Sequence, residues 1–190
     1  MPRLTTVAPA LLLWAIVAAC ASPASRFYTL SGAASSPAMA PGPSVVVGPV
    51  SLPALVDRPQ IVVHSGENEV RLDEFNRWAS PLHDNIASVI ASNLAHQLAS
   101  ARVWPYAQAP LSNADYRVLI DVQRFESTLG QEVLVDILWT VRPASGGTPK
   151  TGRSLVREPT AEAGFDPLVA AHSRALARVS ADIAAAIRAP

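Results

Sequence analysis

The sequence has no surplus of charge of either sign. Its 190 residues contain 15 basic and 15 acidic side chains, so the formal net charge is zero. A chain without such a surplus has no electrostatic means of attracting nucleic acid or an anionic membrane surface. The length allows one domain with a sizeable core. The composition therefore predicts a neutral protein that meets its partners through shape and apolar contact, with no nucleic acid among them.

The motifs of common active sites are also missing. There is no G-x-S-x-G turn, no H-E-x-x-H motif and no glycine-rich phosphate loop. His83 and His96 lie about three turns apart on one predicted helix, which is too far for them to share a metal. His172 falls on an apolar helix seam, where a hydrogen-bonded core residue is expected. We predict no catalytic residues, no metal and no cofactor, and therefore a protein that is not an enzyme.

The only cysteine, Cys20, directly follows an apolar N-terminal segment. Residues 7–19 form an apolar segment that follows a basic residue, Arg3, and is too short to span a bilayer comfortably. Both features are typical of a secretory signal peptide. Residues 17–20 (VAAC) resemble the bacterial lipobox, in which the cysteine is acylated and becomes the first residue of the mature chain. An ordinary signal peptide with an incidental cysteine is the alternative. Acyl chains at Cys20 would anchor the protein to a membrane.

These features divide the chain into segments. Residues 1–19 are predicted to be a lipoprotein signal peptide, residues 20–25 a lipidated tether, and residues 26–190 a single periplasmic domain. Residues 31–44, rich in Pro, Gly and Ala, are predicted to form a flexible loop. The residue after the cysteine is Ala21 and not the Asp that commonly retains lipoproteins in the inner membrane. The predicted location is therefore the outer membrane, on its periplasmic face.

Hydrophobic periodicity predicts an α+β fold. Alternating or β-branched runs predict strands at 45–50, 60–64, 69–73, 116–125, 132–142 and 151–157. Apolar residues at helical spacing predict one helix that opens at Ser80-Pro81 and continues through about Ala101. They predict a second helix that opens at Asp166-Pro167, with the aspartate as cap and the proline as first helical residue. The seam of the second helix could also be a coiled-coil stripe, although it covers barely three heptads. We predict a two-layer α+β domain, mainly an antiparallel sheet with two amphipathic helices packed on one face.

The two longest strands predict a hairpin with a four-residue loop at 127–130. That register sets Asp121 opposite Asp136, and like charges in this position are unfavourable unless a cation intervenes. A metal ion is one interpretation. Because two carboxylates are too few ligands for a hard cation, an arginine bridge from Arg117, or simple solvation, is the preferred one.

The outer face of this hairpin is more apolar than a solvent-exposed face requires. It is predicted to carry Leu119, Phe125, Leu134 and Leu138. We expect these four side chains to contact another subunit or a partner protein. Coverage by the loop at 31–44 is the alternative.

Several short motifs together resemble one protein family. They are FYTL (27–30), GPVSLP (48–53), DRPQIV (57–62), EFNRWASPL (74–82), DYRV (115–118) and AAHSRALARVSADIAAAI (170–187). Each motif is weak alone, but their order and spacing after a lipobox are similar to those of the PqiC family, the ABC-type transport auxiliary lipoproteins. The resemblance spans nearly the whole predicted mature chain.

The resemblance implies an outer-membrane lipoprotein that works with a periplasmic MCE-domain protein and inner-membrane components in moving lipids between the two membranes. It further implies a non-enzymatic role and a homo-oligomeric ring. An assembly factor or activator of another envelope protein is the alternative function. A periplasmic hydrolase is disfavoured by the missing motifs.

The stretch at 47–82 also contains residue types that favour interfaces. Arg58, Gln60, Arg77 and Trp78 are predicted partner or oligomer contacts, because Arg and Trp are common anchors of binding energy. The structural alternative places Trp78 in the core and pairs an arginine with Asp57 or Glu74, since Trp is usually largely buried. The sequence alone leaves both open.

Overall fold

The computed structural model describes residues 24–33, 42–109 and 114–189. The predicted signal peptide, Cys20 and the middle of the predicted loop at 31–44 lie outside these residues. Along the chain the elements are β1 (Arg26–Tyr28), β2 (Val45–Ser51), β3 (Gln60–His64), β4 (Val70–Trp78), α1 (Leu82–Gln97), β5 (Val103–Pro105), a 3-10 turn (Tyr106–Gln108), β6 (Tyr116–Thr128), β7 (Glu132–Pro143), β8 (Lys150–Pro159) and α2 (Phe165–Arg188).

The strands of the described residues form two sheets. The larger sheet has the order β5–β2–β6–β7–β8 and the smaller has the order β1–β4–β3. β2 runs parallel to β5 and β6, and β1 runs parallel to β4, whereas the β3–β4, β6–β7 and β7–β8 pairs are antiparallel. The α+β prediction is confirmed. The structure differs from the expectation in dividing its strands between two mixed sheets.

Both helices pack on the larger sheet. α1 lies against β2 and β5, α2 lies against β7 and β8, and the helices contact each other. The predicted seam of α2 is buried at five positions three or four residues apart: Val169, His172, Leu176, Val179 and Ile183. This spacing places them on one side of the helix, where their burial provides the main stabilisation. The seam therefore belongs to a helix on a sheet and not to a coiled coil.

The smaller sheet closes the core beside the N-terminal ends of the helices. Trp78 of β4 meets Phe125 of β6 edge-on, with 6.3 Å between ring centroids. Tyr28 of β1 lies 6.0 Å from Phe165, the first residue of α2. The Leu30 amide donates a 2.7 Å hydrogen bond to Oδ1 of Asn85 in the first turn of α1. The smaller sheet thereby joins the start of the domain to both helices.

The β6–β7 hairpin has a different register from the predicted one. The strands continue to Thr128 and start again at Glu132, so the loop has three residues, with Gly130 at φ +69°. A β-bulge leaves Gln123 without a partner, because Val122 pairs with Ile137 and Arg124 pairs with Asp136. Two consecutive exposed polar residues, Gln123 and Arg124, thus separate two stretches that both bury apolar side chains.

The shorter loop and the bulge together change the register, and three predictions for this hairpin are wrong. Asp121 pairs with Leu138 and not with Asp136, so the two carboxylates are not opposed. The arginine bridge to Asp136 exists, but it comes from Arg153 of β8 and not from Arg117. Phe125 points to the helix layer and not to the outer face, because the extra residue shifts the alternation of the strand.

The described ends of the predicted loop lie along α1. The Ala33 amide donates a 2.7 Å hydrogen bond to Oδ1 of Asn93, and the Ser92 hydroxyl donates one of 2.8 Å to the Ala33 carbonyl. The Ser100 hydroxyl, just beyond the helix, donates to the Pro43 carbonyl. At residues 31–33 and 42–44 the chain therefore does not cover the outer face of the larger sheet.

Candidate contact surfaces

The outer sheet face, defined here as the side of β6, β7 and β8 away from the helices, is only partly apolar. The predicted contact residues on it differ in accessibility: Leu138 is 40% exposed, Leu119 is half-buried and Leu134 is buried. Leu155 of β8, paired with Asp136 on the same face, is 58% exposed. Two exposed leucines on adjacent strands are therefore the apolar part of this face that a partner can reach.

Ion pairs surround these leucines. Arg153 donates two hydrogen bonds, of 2.8 and 2.6 Å, to the buried carboxylate of Asp136. Hydrogen bonding to Arg153 holds the pKa of Asp136 below its usual value, and the same pair raises the pKa of Arg153. Arg124 pairs with Glu126 at 2.6 Å on the same face. Exposed apolar side chains among fixed arginine–carboxylate pairs form a mixed surface of the kind found at protein interfaces.

The smaller sheet brings together two of the sequence motifs that carry the family resemblance. The Trp78 amide donates a 2.7 Å hydrogen bond to the Pro59 carbonyl, which joins the DRPQIV and EFNRWASPL segments. Between them lies a cleft of about 330 Å³, called here the signature cleft. It is lined by Asp57, Arg58, Pro59, Trp78, Ala79, Ser80, Pro81 and Leu82, so it ends at the start of α1.

Two of the four predicted contact residues of this stretch line the cleft. Trp78 is 7% exposed and packs in the core. The alternative that placed this side chain in the core is therefore correct. Arg58 donates through Nη2 to the Ala54 carbonyl at 3.3 Å, and its buried Nε has no hydrogen-bond partner among the described residues. One donor atom at the cleft is therefore left without a protein acceptor in the part of the chain that the structure describes.

Gln60 and Arg77 lie on the sheet beside the cleft. Nη2 of Arg77 and Nε2 of Gln60 both donate to Oε2 of Glu74, at 3.3 and 3.4 Å. The predicted pairing of an arginine with Glu74 is therefore present. All three side chains lie at the surface, where such a pair stabilises little and its groups stay accessible to a partner.

A serine–histidine pair lies inside the core. His172 and Ser127 are both buried, and the imidazole stacks on Phe125 with 3.9 Å between ring centroids. Burial lowers the pKa of His172 to about 3, so the ring is neutral at neutral pH. As expected from the sequence, His172 is a hydrogen-bonded core residue. Among the described residues no three His, Cys, Asp or Glu side chains come close enough together to hold a metal ion.

Sequence reasoning missed several exposed apolar side chains, among them Leu155, Phe27, which is 65% exposed, and Phe75, which is 41% exposed. The alternation of β1 contained the signal for Phe27, because Tyr28 packs inward and its neighbour must then point outward. For Phe75 no comparable signal exists. It lies where β4 bulges, between Asp73, the partner of Ile61, and Arg77, the partner of Gln60.

Comparison with known families decides the identity of this domain. Residues 28–184 match the family described as the ABC-type transport auxiliary lipoprotein component. The chain belongs to this family. The matched range begins inside β1 and ends in the last turns of α2, so the auxiliary lipoprotein domain comprises both sheets and both helices. The predicted likeness to the PqiC-type auxiliary lipoproteins is thereby confirmed.

Two crystal structures show the same fold as this auxiliary lipoprotein. One, of an uncharacterized protein, has a TM-score of 0.71 and 20% sequence identity over 87% of this chain and 99% of that one. The other, protein XCC0632 from Xanthomonas campestris, has a TM-score of 0.63 and 19% identity over 85% and 90% of the two chains. No curated protein matches the sequence. None of the described helices is long and apolar enough to cross a membrane.

Proposed function

We propose that this auxiliary lipoprotein is anchored through Cys20 in the periplasmic face of the outer membrane and docks onto an MCE-domain protein of an intermembrane lipid transport system. The family match over residues 28–184 carries the proposal, since it identifies an auxiliary component of ABC-type transport. The proposed role is non-enzymatic: the component positions other proteins of the system. The inner-membrane parts of the system supply the transport chemistry.

The signature cleft is the proposed contact with the MCE-domain protein. Its walls combine proline and leucine side chains with Arg58, whose Nε lacks an acceptor among the described residues. A partner segment with an apolar side chain would fill the cleft, and a carbonyl or carboxylate oxygen beside it would pair with the guanidinium group of Arg58. Gln60, beside it, extends the polar rim of the same surface.

The outer sheet face is the proposed contact between copies of the chain in a ring. Leu138 and Leu155 supply apolar area, and Arg153 and Arg157 supply charged groups at its border. In a ring each copy contacts two neighbours through different surfaces, so this face would meet another part of the next copy. The two proposed surfaces lie on different sheets, which allows assembly and docking at the same time.

Site-specific photo-crosslinking in cells tests the docking proposal. A crosslinking amino acid replaces Ala79, an exposed residue that lines the signature cleft, and in a control replaces Glu67 at the tip of the β3–β4 hairpin. We expect the MCE-domain protein in the adduct from position 79 and not in that from position 67. Recovery of a different envelope protein from position 79 would favour the assembly-factor or activator role instead.

A further inference from the structure

Exposed aromatic side chains lie at the end of the domain where the chain enters it. Phe27 of β1 is 65% exposed. It pairs with Arg77 of β4, and Phe75, 41% exposed, lies two residues before Arg77. Each exposed phenylalanine forgoes part of the free energy that burial of its ring would contribute. Two such side chains in one region indicate a surface that something apolar covers.

This end of the domain is held firmly. The Ala79 amide donates a 2.8 Å hydrogen bond to the Tyr28 carbonyl, and the Tyr28 hydroxyl donates to Oδ1 of Asn76 at 2.9 Å. Beyond β1, the Ser31 amide donates to Oγ of Ser173 on α2 at 3.0 Å. These bonds tie β1 to β4 and to α2. Phe27 is therefore presented by a fixed backbone and not by a free end.

The position of the predicted anchor relative to these aromatics is set by chain length. A groove beside β1 is lined by Ala24, Arg26 and Phe75, together with Asp166 and neighbouring residues at the start of α2. Cys20 precedes Ala24 by four residues, which span at most about 14 Å when fully extended. A lipidated Cys20 lies at the membrane interface. Ala24, the groove that it lines, and Phe27, three residues further along the chain, therefore lie within a short distance of the lipid headgroups.

We propose that this end of the domain rests on the lipid surface, with Phe27 and Phe75 inserted among the headgroups. This inference rests on the proposed anchoring through Cys20. The groove beside Phe75 carries Glu162 and Asp166 together with Arg26, and Arg77 beside Phe27 is paired with Glu74. The charges at this end therefore do not favour an anionic surface. The attraction is apolar, as expected of aromatic residues at a membrane interface. The membrane thus orients the domain, while the acyl chains only hold it.

Tryptophan probes and brominated lipids test this orientation. Cys20 is the only cysteine, so the mature chain can be coupled through it to a maleimide lipid in phosphatidylcholine vesicles, whether or not cells acylate it. Phe27→Trp and Phe75→Trp are compared with Leu155→Trp, an exposed position on the outer sheet face. The emission of the unsubstituted protein, which comes from Trp78, Trp104 and Trp139, is subtracted from that of each variant. We expect lipids brominated near the headgroup to quench the probes at 27 and 75 about twofold more than the probe at 155.

Equal quenching at all three positions would overturn the proposal. So would a blue-shifted, protected emission at position 27 in lipid-free protein, because a second copy of the chain would then cover this end. Addition of anionic lipid should leave the quenching unchanged, and a strong increase would contradict an apolar contact. Failure of acylation in cells, read from the mass of the mature protein, would refute the proposed anchor. It would leave the vesicle result intact.

Discussion

Nε2 of His172 and Oγ of Ser127 lie 2.8 Å apart in the core of the domain. Nδ1 of the same ring is buried and has no hydrogen-bond partner among the described residues. A neutral ring that donates from Nε2 leaves only an acceptor unpaired, whereas a charged ring would leave a buried donor and an uncompensated charge. The low pKa of His172 therefore means that protonation of the ring destabilises the folded domain.

We expect the domain to lose stability between pH 7 and pH 5. The unfolded chain protonates this histidine near its ordinary pKa, whereas the folded domain resists protonation until about pH 3. His172 therefore lowers the free energy of unfolding only when the pH falls through the pKa that the histidine has in the unfolded chain. At pH 5 this loss is about 2 kcal/mol from His172 alone. Urea unfolding at the two pH values measures this loss.

The double variant His172→Phe, Ser127→Ala isolates this contribution. It removes both hydrogen-bonding partners, and its free energy of unfolding should fall less between pH 7 and pH 5 than that of the wild-type protein. The control is His96→Gln, because His96 is exposed on α1 and should leave the wild-type slope in place. A double variant as pH-sensitive as the wild-type protein would assign the effect to other groups.

Arg153→Ala should destabilise the domain although most of its side chain is exposed. It removes both hydrogen bonds to the buried Asp136 carboxylate and should lower the free energy of unfolding by about 1–3 kcal/mol. Arg157→Ala is the matched control, from the same strand and face, because its pair with Glu132 is exposed on both sides. That variant should lose at most about 1 kcal/mol. Equal losses in chemical denaturation would contradict the argument.

Gly152→Ala should disturb Trp139. A Cβ atom at position 152 would overlap the six-membered ring of the indole, whose Nε1 donates a 3.1 Å hydrogen bond to Oγ of Ser154. We expect a loss of about 1–3 kcal/mol from overpacking and a changed near-ultraviolet circular dichroism spectrum. Gly66→Ala is the control, because its nearest neighbour would be 3.7 Å away. An unperturbed spectrum for Gly152→Ala would show that the indole has room to move.

Leu138→Arg should separate assembly from folding. Its side chain is 40% exposed on the outer sheet face, so a charge there costs the monomer little but disrupts an apolar contact between copies. Sedimentation velocity should show the assembly reduced to monomers with unchanged circular dichroism. Val70→Arg, at an exposed position of the smaller sheet, should sediment like the wild-type protein. An unchanged profile for Leu138→Arg would remove this face from the proposed ring contact.

Cys20→Ala should remove the protein from the outer-membrane fraction. Without the thiol no acyl chain can be attached, and the remaining apolar contacts of the domain are too few for permanent anchoring. Ser22→Ala, two residues further along, is the control and should stay with outer membranes after carbonate extraction. A Cys20→Ala protein that still fractionates with outer membranes would refute the proposed anchor.

Periodicity predicted those parts of the fold in which the side-chain pattern repeats regularly along a helix or strand. The α2 seam from Val169 to Ile183 is buried as expected, because a regular helix repeats its contacts every three or four residues. The strands that form β6 and β7 were predicted on the same basis. The division into two sheets was not predictable, since it depends on the parallel pairing of β1 with β4 and of β2 with β6, which no local pattern encodes.

The contact surfaces were predicted less well because they depend on single residues. One bulged residue moved Phe125 from the predicted contact face into the core, and cross-strand neighbours buried Leu134. Phe27 is exposed because its neighbour Tyr28 packs against Phe165 at the start of α2. The change of phase in β6 was visible as the odd spacing between Val122 and Phe125, both apolar. This spacing indicates a bulge only when the pairing of β6 with β7 is known.

Gln123 has a consequence for comparing this chain with its relatives. The residue adds one position to β6 without adding a rung to the ladder, so the apolar pattern changes parity there. A relative that lacks the extra residue would keep the same core with apolar and polar positions alternating without interruption along the whole strand. An alignment gap in this strand therefore belongs at position 123. Placed anywhere else, it would match core residues of one protein with surface residues of the other.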